Sequence, residues 1–112
     1  MKEHRESPFQ SRAVRFLRIA LAPYGGWAGA IPGGDRRATR ATGWVSGTPD
    51  ILAVVRGQAV LIELKSVKGV VEPHQKAVQA ELERAGAVVF VARSMDDLES
   101  IVTTLAMGRA AA

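Results

Sequence analysis

The sequence predicts a mixed α/β fold in which helices flank a small central sheet, and three observations support this prediction. The 112 residues suffice for one domain with one core. Two β-branched apolar runs, at 51–55 and 59–64, predict adjacent strands. Apolar residues at helical spacing lie before and after these runs. We therefore expect one domain over residues 1–112, with 1–6 and 108–112 frayed.

The first helix is predicted from the capping sequence Ser7-Pro8-Phe9-Gln10, and Pro23 ends it. Its apolar face comprises Val14, Leu17 and Leu21. The residues from 23 to 49 then form a long basic loop, with a short strand near 27–31. The aromatic residues of this region are expected to pack in the core rather than against nucleobases. They are Tyr24, Trp27 and Trp44.

The sequence of the second half of the chain predicts a helix, then a strand and then a last helix. Pro73 begins a helix with Val78 and Leu82 on its inward side, and Gly86 ends it. The apolar run 87–92 is interpreted as a buried strand. Ser94 caps the last helix.

Composition restricts the chemistry and suggests a polyanionic partner. The chain has no cysteine, so any metal is held by oxygen or imidazole. Residues 1–40 hold eight Lys and Arg against three acids, whereas the later residues are nearly balanced. This asymmetry fits nucleic acid, although it also fits a solvated basic face. No membrane span or signal peptide is apparent, and we expect a cytoplasmic protein.

The hairpin brings charged residues together. If its turn is centred on Arg56-Gly57, the numbers of facing residues sum to 113, which places Asp50 opposite Glu63. Lys65 lies on the same face as Glu63 because side chains two residues apart share a face. Two carboxylates this close favour a shared cation, and hard oxygen ligands suit Mg²⁺ or Mn²⁺. The alternative is a plain salt bridge at the rim of a sheet.

Two further side chains extend this cluster. Gln75 shares a helix face with Val78 and Leu82, so its amide points toward the sheet, where the metal site or a phosphate offers a partner. A satisfied first-turn glutamine is the alternative. Continuing the first helix backwards places Glu6 near the same face, although Gln10 is better explained as a capping residue.

The motifs Gly47-Thr48-Pro49-Asp50, Glu63-Leu64-Lys65 and Pro73-His74-Gln75 together resemble the VRR-NUC branch of the PD-(D/E)XK nucleases. Glu6 with Gln10, and the stretch 31–34 with the following arginines, extend the resemblance over residues 6–105. It implies a restriction-endonuclease-like α-β-β-β-α-β core. It also implies metal ligation by Asp50, Glu63 and the Leu64 carbonyl, a catalytic Lys65, a supporting Gln75 and an outer acid at Glu6.

The function expected from this resemblance is Mg²⁺-dependent cleavage of DNA, with Mn²⁺ able to substitute. Phage and bacterial single-domain members imply a homodimer that acts on branched DNA such as Holliday junctions. The sequence leaves open a non-cleaving nucleic-acid-binding module, or a nuclease of flaps, linear DNA or RNA. We expect Arg36, Arg37 and Arg40 to contact phosphates. On the first helix, Phe9, Phe16 and Ile19 lie off the apolar face and either form a dimer contact or pack under the long Gly/Pro loop of the same chain.

Overall fold

The computed structural model describes residues 8–32, 43 and 45–108, which form one mixed sheet with helices on both of its faces. The helices are α1 (Pro8–Leu21), α2 (Pro73–Arg84) and α3 (Met95–Ala106), and a short 3₁₀ turn (Ala22–Tyr24) follows α1. The strands are β1 (Trp27–Ala30), β2 (Ile51–Val55), β3 (Gln58–Leu64) and β4 (Val88–Ala92). The predicted α/β fold with its α-β-β-β-α-β order is confirmed.

The strands lie in the order β1-β2-β3-β4, antiparallel except for the parallel pair β3–β4. The β2–β3 hairpin pairs Ile51 with Ile62, which is the predicted register. Arg56 and Gly57 have φ angles of 52° and 80°, as a tight two-residue hairpin turn requires. Because side chains alternate across a strand, this register fixes which residues share a face with Glu63.

The main core lies between one sheet face and the helices α1 and α3. Ile51, Ala53 and Val55 of β2 belong to this core with Val60 and Ile62 of β3. The helices contribute fully or almost fully buried side chains at Ala13, Leu17, Leu21, Leu98, Ile101 and Leu105. Asp50 and Glu63 alternate with the core positions, so they belong to the opposite face, where α2 lies.

Three details of packing differ from the sequence prediction. On α1, Ala13 is fully buried with Leu17 and Leu21, whereas Val14 is only half-buried. The strand β4 is half-buried over most of its length, because it lies at an edge of the sheet. Trp27 and Tyr24 are not core residues, since half of Trp27 and more than a third of Tyr24 are exposed.

Some predictions fall on parts of the chain outside the described residues. They are the frayed ends predicted at 1–6 and, apart from Gly108, at 108–112, the Ser7 cap, Glu6, Trp44 and the arginines 36, 37 and 40. Among the described helices, none is long and apolar enough to cross a membrane. The cytoplasmic location stays a prediction.

Candidate active site

Asp50 is fixed by hydrogen bonds to both neighbouring strands. Its N–H donates to the Ile62 carbonyl at 3.1 Å, and its own carbonyl accepts from the Ile31 N–H at 2.8 Å. Its carboxylate oxygen Oδ2 accepts from the Leu64 N–H at 2.8 Å. The side chain is therefore held against the backbone of β3, between Glu63 and Lys65.

The loop that precedes Asp50 packs against the start of α2. Gly47 has a φ of +97°, and a Cβ placed there would lie 2.9 Å from the His74 carbonyl oxygen. Both the backbone conformation and the close approach require glycine. Thr48 Oγ1 donates to the Val45 carbonyl at 2.6 Å, and Pro49 is buried. The packing of Gly47 on His74 sets the distance between Asp50 and the helix that carries Gln75.

Among the described residues, Glu63 is the one charged residue that is buried, with 3% of its surface exposed. Its Oε2 accepts from Gln75 Nε2 at 3.2 Å and lies 3.7 Å from the Lys65 ammonium. Its Oε1 is buried without a hydrogen-bond partner among the described residues. A buried carboxylate oxygen normally has a partner, so this atom points to a cation or a donor other than the described residues.

Gln75 has two roles that its position in the first turn of α2 makes compatible. Its Oε1 accepts from the Glu72 N–H at 2.8 Å, the capping-box bond of the helix, while its Nε2 reaches Glu63. The helix start therefore orients the amide toward the carboxylate. The inward direction of Gln75 and its role in the first turn, which were alternatives in the sequence, both occur.

The electrostatics of the cluster favour a bound cation. Burial raises the pKa of Asp50, against the opposing effects of the Leu64 N–H and the Lys65 ammonium. Burial and the adjacent Asp50 carboxylate raise the pKa of Glu63 from its ordinary 4.5 to about 7. One lysine thus does not compensate the buried Glu63 carboxylate together with the half-buried Asp50 carboxylate beside it. A divalent ion between them would remove both the repulsion and the need for a proton.

Glu63→Gln is expected to stabilise the protein in EDTA at pH 8 but not at pH 4.5. A carboxyl group with a raised folded-state pKa contributes its full stability below about pH 4.5, and loses it as the pH rises through about 7. Glutamine imitates the protonated form, so the gain in unfolding free energy at pH 8 is at most about 3 kcal/mol. Thermal melts at both pH values measure it.

The control for this prediction is Glu99→Gln, which neutralises an exposed carboxylate on α3. It is expected to change the melting temperature little at either pH. An equal gain for Glu63→Gln at pH 4.5 and pH 8 would show that the effect is packing and not ionisation.

Arg93, a residue that no sequence motif singles out, holds the loop after Lys65. Its guanidinium donates to the carbonyls of Ser66 at 2.8 Å and Gly69 at 2.5 Å. The Lys65 N–H donates to the Ala92 carbonyl at 3.0 Å, which continues the pairing of β3 with β4. The sequence gives no signal of this role, because the bonds join residues 24 and 27 positions apart in the chain.

The structure thus brings together four of the predicted site residues, Asp50, Glu63, Lys65 and Gln75, with the backbone of Leu64 beside them. Within the described part of the chain, no group of three or more His, Cys, Asp or Glu side chains is placed to hold a metal. Mg²⁺ binding requires no such group, since this ion commonly takes one or two carboxylates and retains several waters.

Comparisons with known proteins agree with this fold. The profile of the VRR-NUC domain family matches residues 30–96, which is more than half of the chain and includes all four clustered residues. A solved structure described as a VRR_NUC domain superposes with a TM-score of 0.63 at 22% identity, over 87% of this chain and 97% of that one. This likeness concerns the fold. No curated protein matches the chain significantly.

Proposed function

Because this chain belongs to the VRR-NUC domain family, a family of nuclease domains, we propose that it is a Mg²⁺-dependent endonuclease that hydrolyses phosphodiester bonds in DNA. The observation that carries the proposal is the pairing of the half-buried Asp50 with the buried Glu63 beside one lysine, with one Glu63 oxygen unpartnered among the described residues. Such a pair is costly for a folded protein unless a cation joins it.

The residues present fit a hard divalent cation. Asp50 and Glu63 would supply carboxylate oxygens, and the carbonyl of Leu64, whose N–H bonds the Asp50 carboxylate, would supply a third. Mg²⁺ prefers such oxygen ligands, and Mn²⁺ would substitute for it. When bound, the ion supplies Lewis acidity to the phosphoryl oxygen and lowers the pKa of the attacking water.

The other side chains of the cluster act on geometry and charge. The Lys65 ammonium would orient the attacking water or offset the negative charge that develops on the phosphoryl oxygens. Gln75 would hold Glu63 in one orientation through the bond from its Nε2. Glu6 lies outside the described residues, and its role as an outer acid stays a prediction from the family resemblance.

We further propose that Arg36, Arg37 and Arg40 contact the DNA backbone. Their triple replacement by alanine is expected to weaken DNA binding and to flatten the dependence of affinity on salt, by a slope of roughly 0.9 for each phosphate that is no longer neutralised. Fluorescence anisotropy over a series of salt concentrations measures both effects. An unchanged slope of affinity against salt would show that these arginines do not contact the DNA backbone.

Branched DNA and a homodimer belong to the same proposal. Paired cuts at a four-way junction need two active sites, and a two-fold dimer of a one-site chain supplies them. On α1, Phe9 and Phe16 pack partly against the core of their own chain, whereas 75% of Ile19 is exposed. Of the three residues expected to form a dimer contact on this helix, Ile19 is therefore the one that remains available for it.

A cleavage panel tests the proposed function. Four-way junction, flap, duplex and single-stranded DNA, together with RNA, are incubated with and without Mg²⁺. We expect cleavage only with the metal, most efficient on the junction. Binding without cleavage at any Mg²⁺ concentration would identify a non-cleaving nucleic-acid-binding module. Preferential cutting of flaps or RNA would show that these, and not the junction, are the substrate.

A further inference from the structure

The turn that follows Lys65 exposes apolar side chains beside the active site. The Gly69 N–H donates to the Ser66 carbonyl at 3.1 Å, which closes a turn with Val67 and Lys68 at its centre. Val67 is 78% exposed, and Val70, directly after the turn, is 66% exposed. Both values are close to that of Ile19, an exposed apolar residue on α1.

This turn has a defined position relative to the catalytic lysine. A Cβ placed at Gly69 would lie 3.4 Å from Lys65 Cδ, so the turn packs against the lysine side chain. The Arg93 guanidinium bonds the carbonyls at both ends of the turn. The valines are therefore presented from a fixed support that touches the Lys65 side chain, and a substrate phosphate bound at Lys65 would lie near this turn.

The chemistry of the turn identifies its partner. The segment 65–70 contains two lysines and no acid, which favours a polyanion. Its exposed valines gain nothing from the sugar-phosphate surface of a continuous duplex. Base faces are apolar and become accessible where stacking is interrupted, and apolar side chains are known to insert at such steps.

We propose that Val67 and Val70 contact unstacked bases next to the scissile phosphate, so that the turn selects DNA in which base stacking is interrupted. This inference rests on the proposed function, because it assumes that the phosphate to be cut binds at Lys65. It specifies the substrate class as DNA with unpaired or unstacked nucleotides at the cut, which branch points, gaps and flaps share.

Binding in EDTA tests the inference separately from cleavage. The probes are a duplex with a short single-stranded gap, carrying 2-aminopurine beside the gap, and a continuous duplex of equal length. Wild type is expected to bind the gapped probe more tightly and to change its 2-aminopurine fluorescence. Val67→Ser with Val70→Ser is expected to weaken gapped-probe binding by roughly tenfold, because the methyl groups that the bases would cover are removed, and to leave duplex binding unchanged.

The matched control is Met107→Ser, which removes a comparably exposed apolar side chain, 60% exposed, at the end of α3 and is expected to leave both affinities unchanged. Equal losses on both probes in the valine variant, or no gapped-probe preference in wild type, would overturn the inference. A lower mass for the valine variant in light scattering would instead assign the turn to an interface between two copies of the chain. Failure of Mg²⁺-dependent cleavage alone would reject the proposed function and leave the binding result standing.

Discussion

Asp50→Asn and Glu63→Gln are each expected to abolish Mg²⁺-dependent cleavage while the protein stays folded. Each substitution removes one negative charge from the proposed metal site and keeps nearly the same side-chain shape. Loss of an anionic ligand weakens binding of a hard cation, whose affinity depends on ligand charge. Single-turnover cleavage of junction DNA, followed over a range of Mg²⁺ concentrations, measures the effect.

The fold is expected to survive because the amide side chains of the two variants can form the same hydrogen bonds as the carboxylates they replace. In Asp50→Asn the new amide oxygen would still accept from the Leu64 N–H. In Glu63→Gln the new amide oxygen would still accept from Gln75, so the bonds that fix both side chains persist. A second readout is the rise in melting temperature on adding Mg²⁺, which a bound ligand causes by mass action. Wild type is expected to show this rise, and neither variant is expected to show it.

Glu99→Gln serves as the control, since it changes net charge equally on the exposed surface of α3. It is expected to cut as wild type does. Near wild-type cleavage by either site variant would show that the carboxylate pair is not the metal site. Glu63→Gln is thus expected to be more stable than wild type in EDTA at pH 8 and inactive with Mg²⁺, which a merely structural role for the residue would not produce.

The sequence predicted the central part of the site because its determinants are local. Arg56-Gly57 sets a two-residue turn, and the turn sets the register of β2 against β3. The observed register ends at the pair Ile51 and Ile62, and its extension by one residue brings Asp50 to Glu63. The two-residue period of a strand adds Lys65. Gln75 followed from helical spacing after Pro73. None of these steps required knowledge of distant contacts.

Features that depend on contacts between distant segments were not predictable in the same way. The apolar run 87–92 indicates a strand, but its position at a sheet edge follows from the strand order, which no local pattern encodes. Trp27 is half-exposed because β1 forms the other edge. The Arg93 hydrogen bonds join the end of β4 to the loop after β3, and a single arginine gives no sign of such a partner.

Lys65→Ala is expected to reduce turnover by about 10²-fold or more, because this is the loss typical of a group that stabilises developing charge. Metal binding is not expected to weaken. The ammonium lies 3.7 Å from Glu63, so it competes with a cation for the same carboxylate. Removing the ammonium at pH 8 should therefore either lower the Mg²⁺ concentration that gives the half-maximal rate or leave it unchanged.

Lys65→Met keeps the apolar stem of the side chain under the Gly69 turn and should lose turnover to the same extent as Lys65→Ala. Arg84→Met, a charge control at the end of α2, should retain wild-type turnover. Unaltered turnover in both Lys65 variants would reduce the residue to a salt-bridge partner of Glu63.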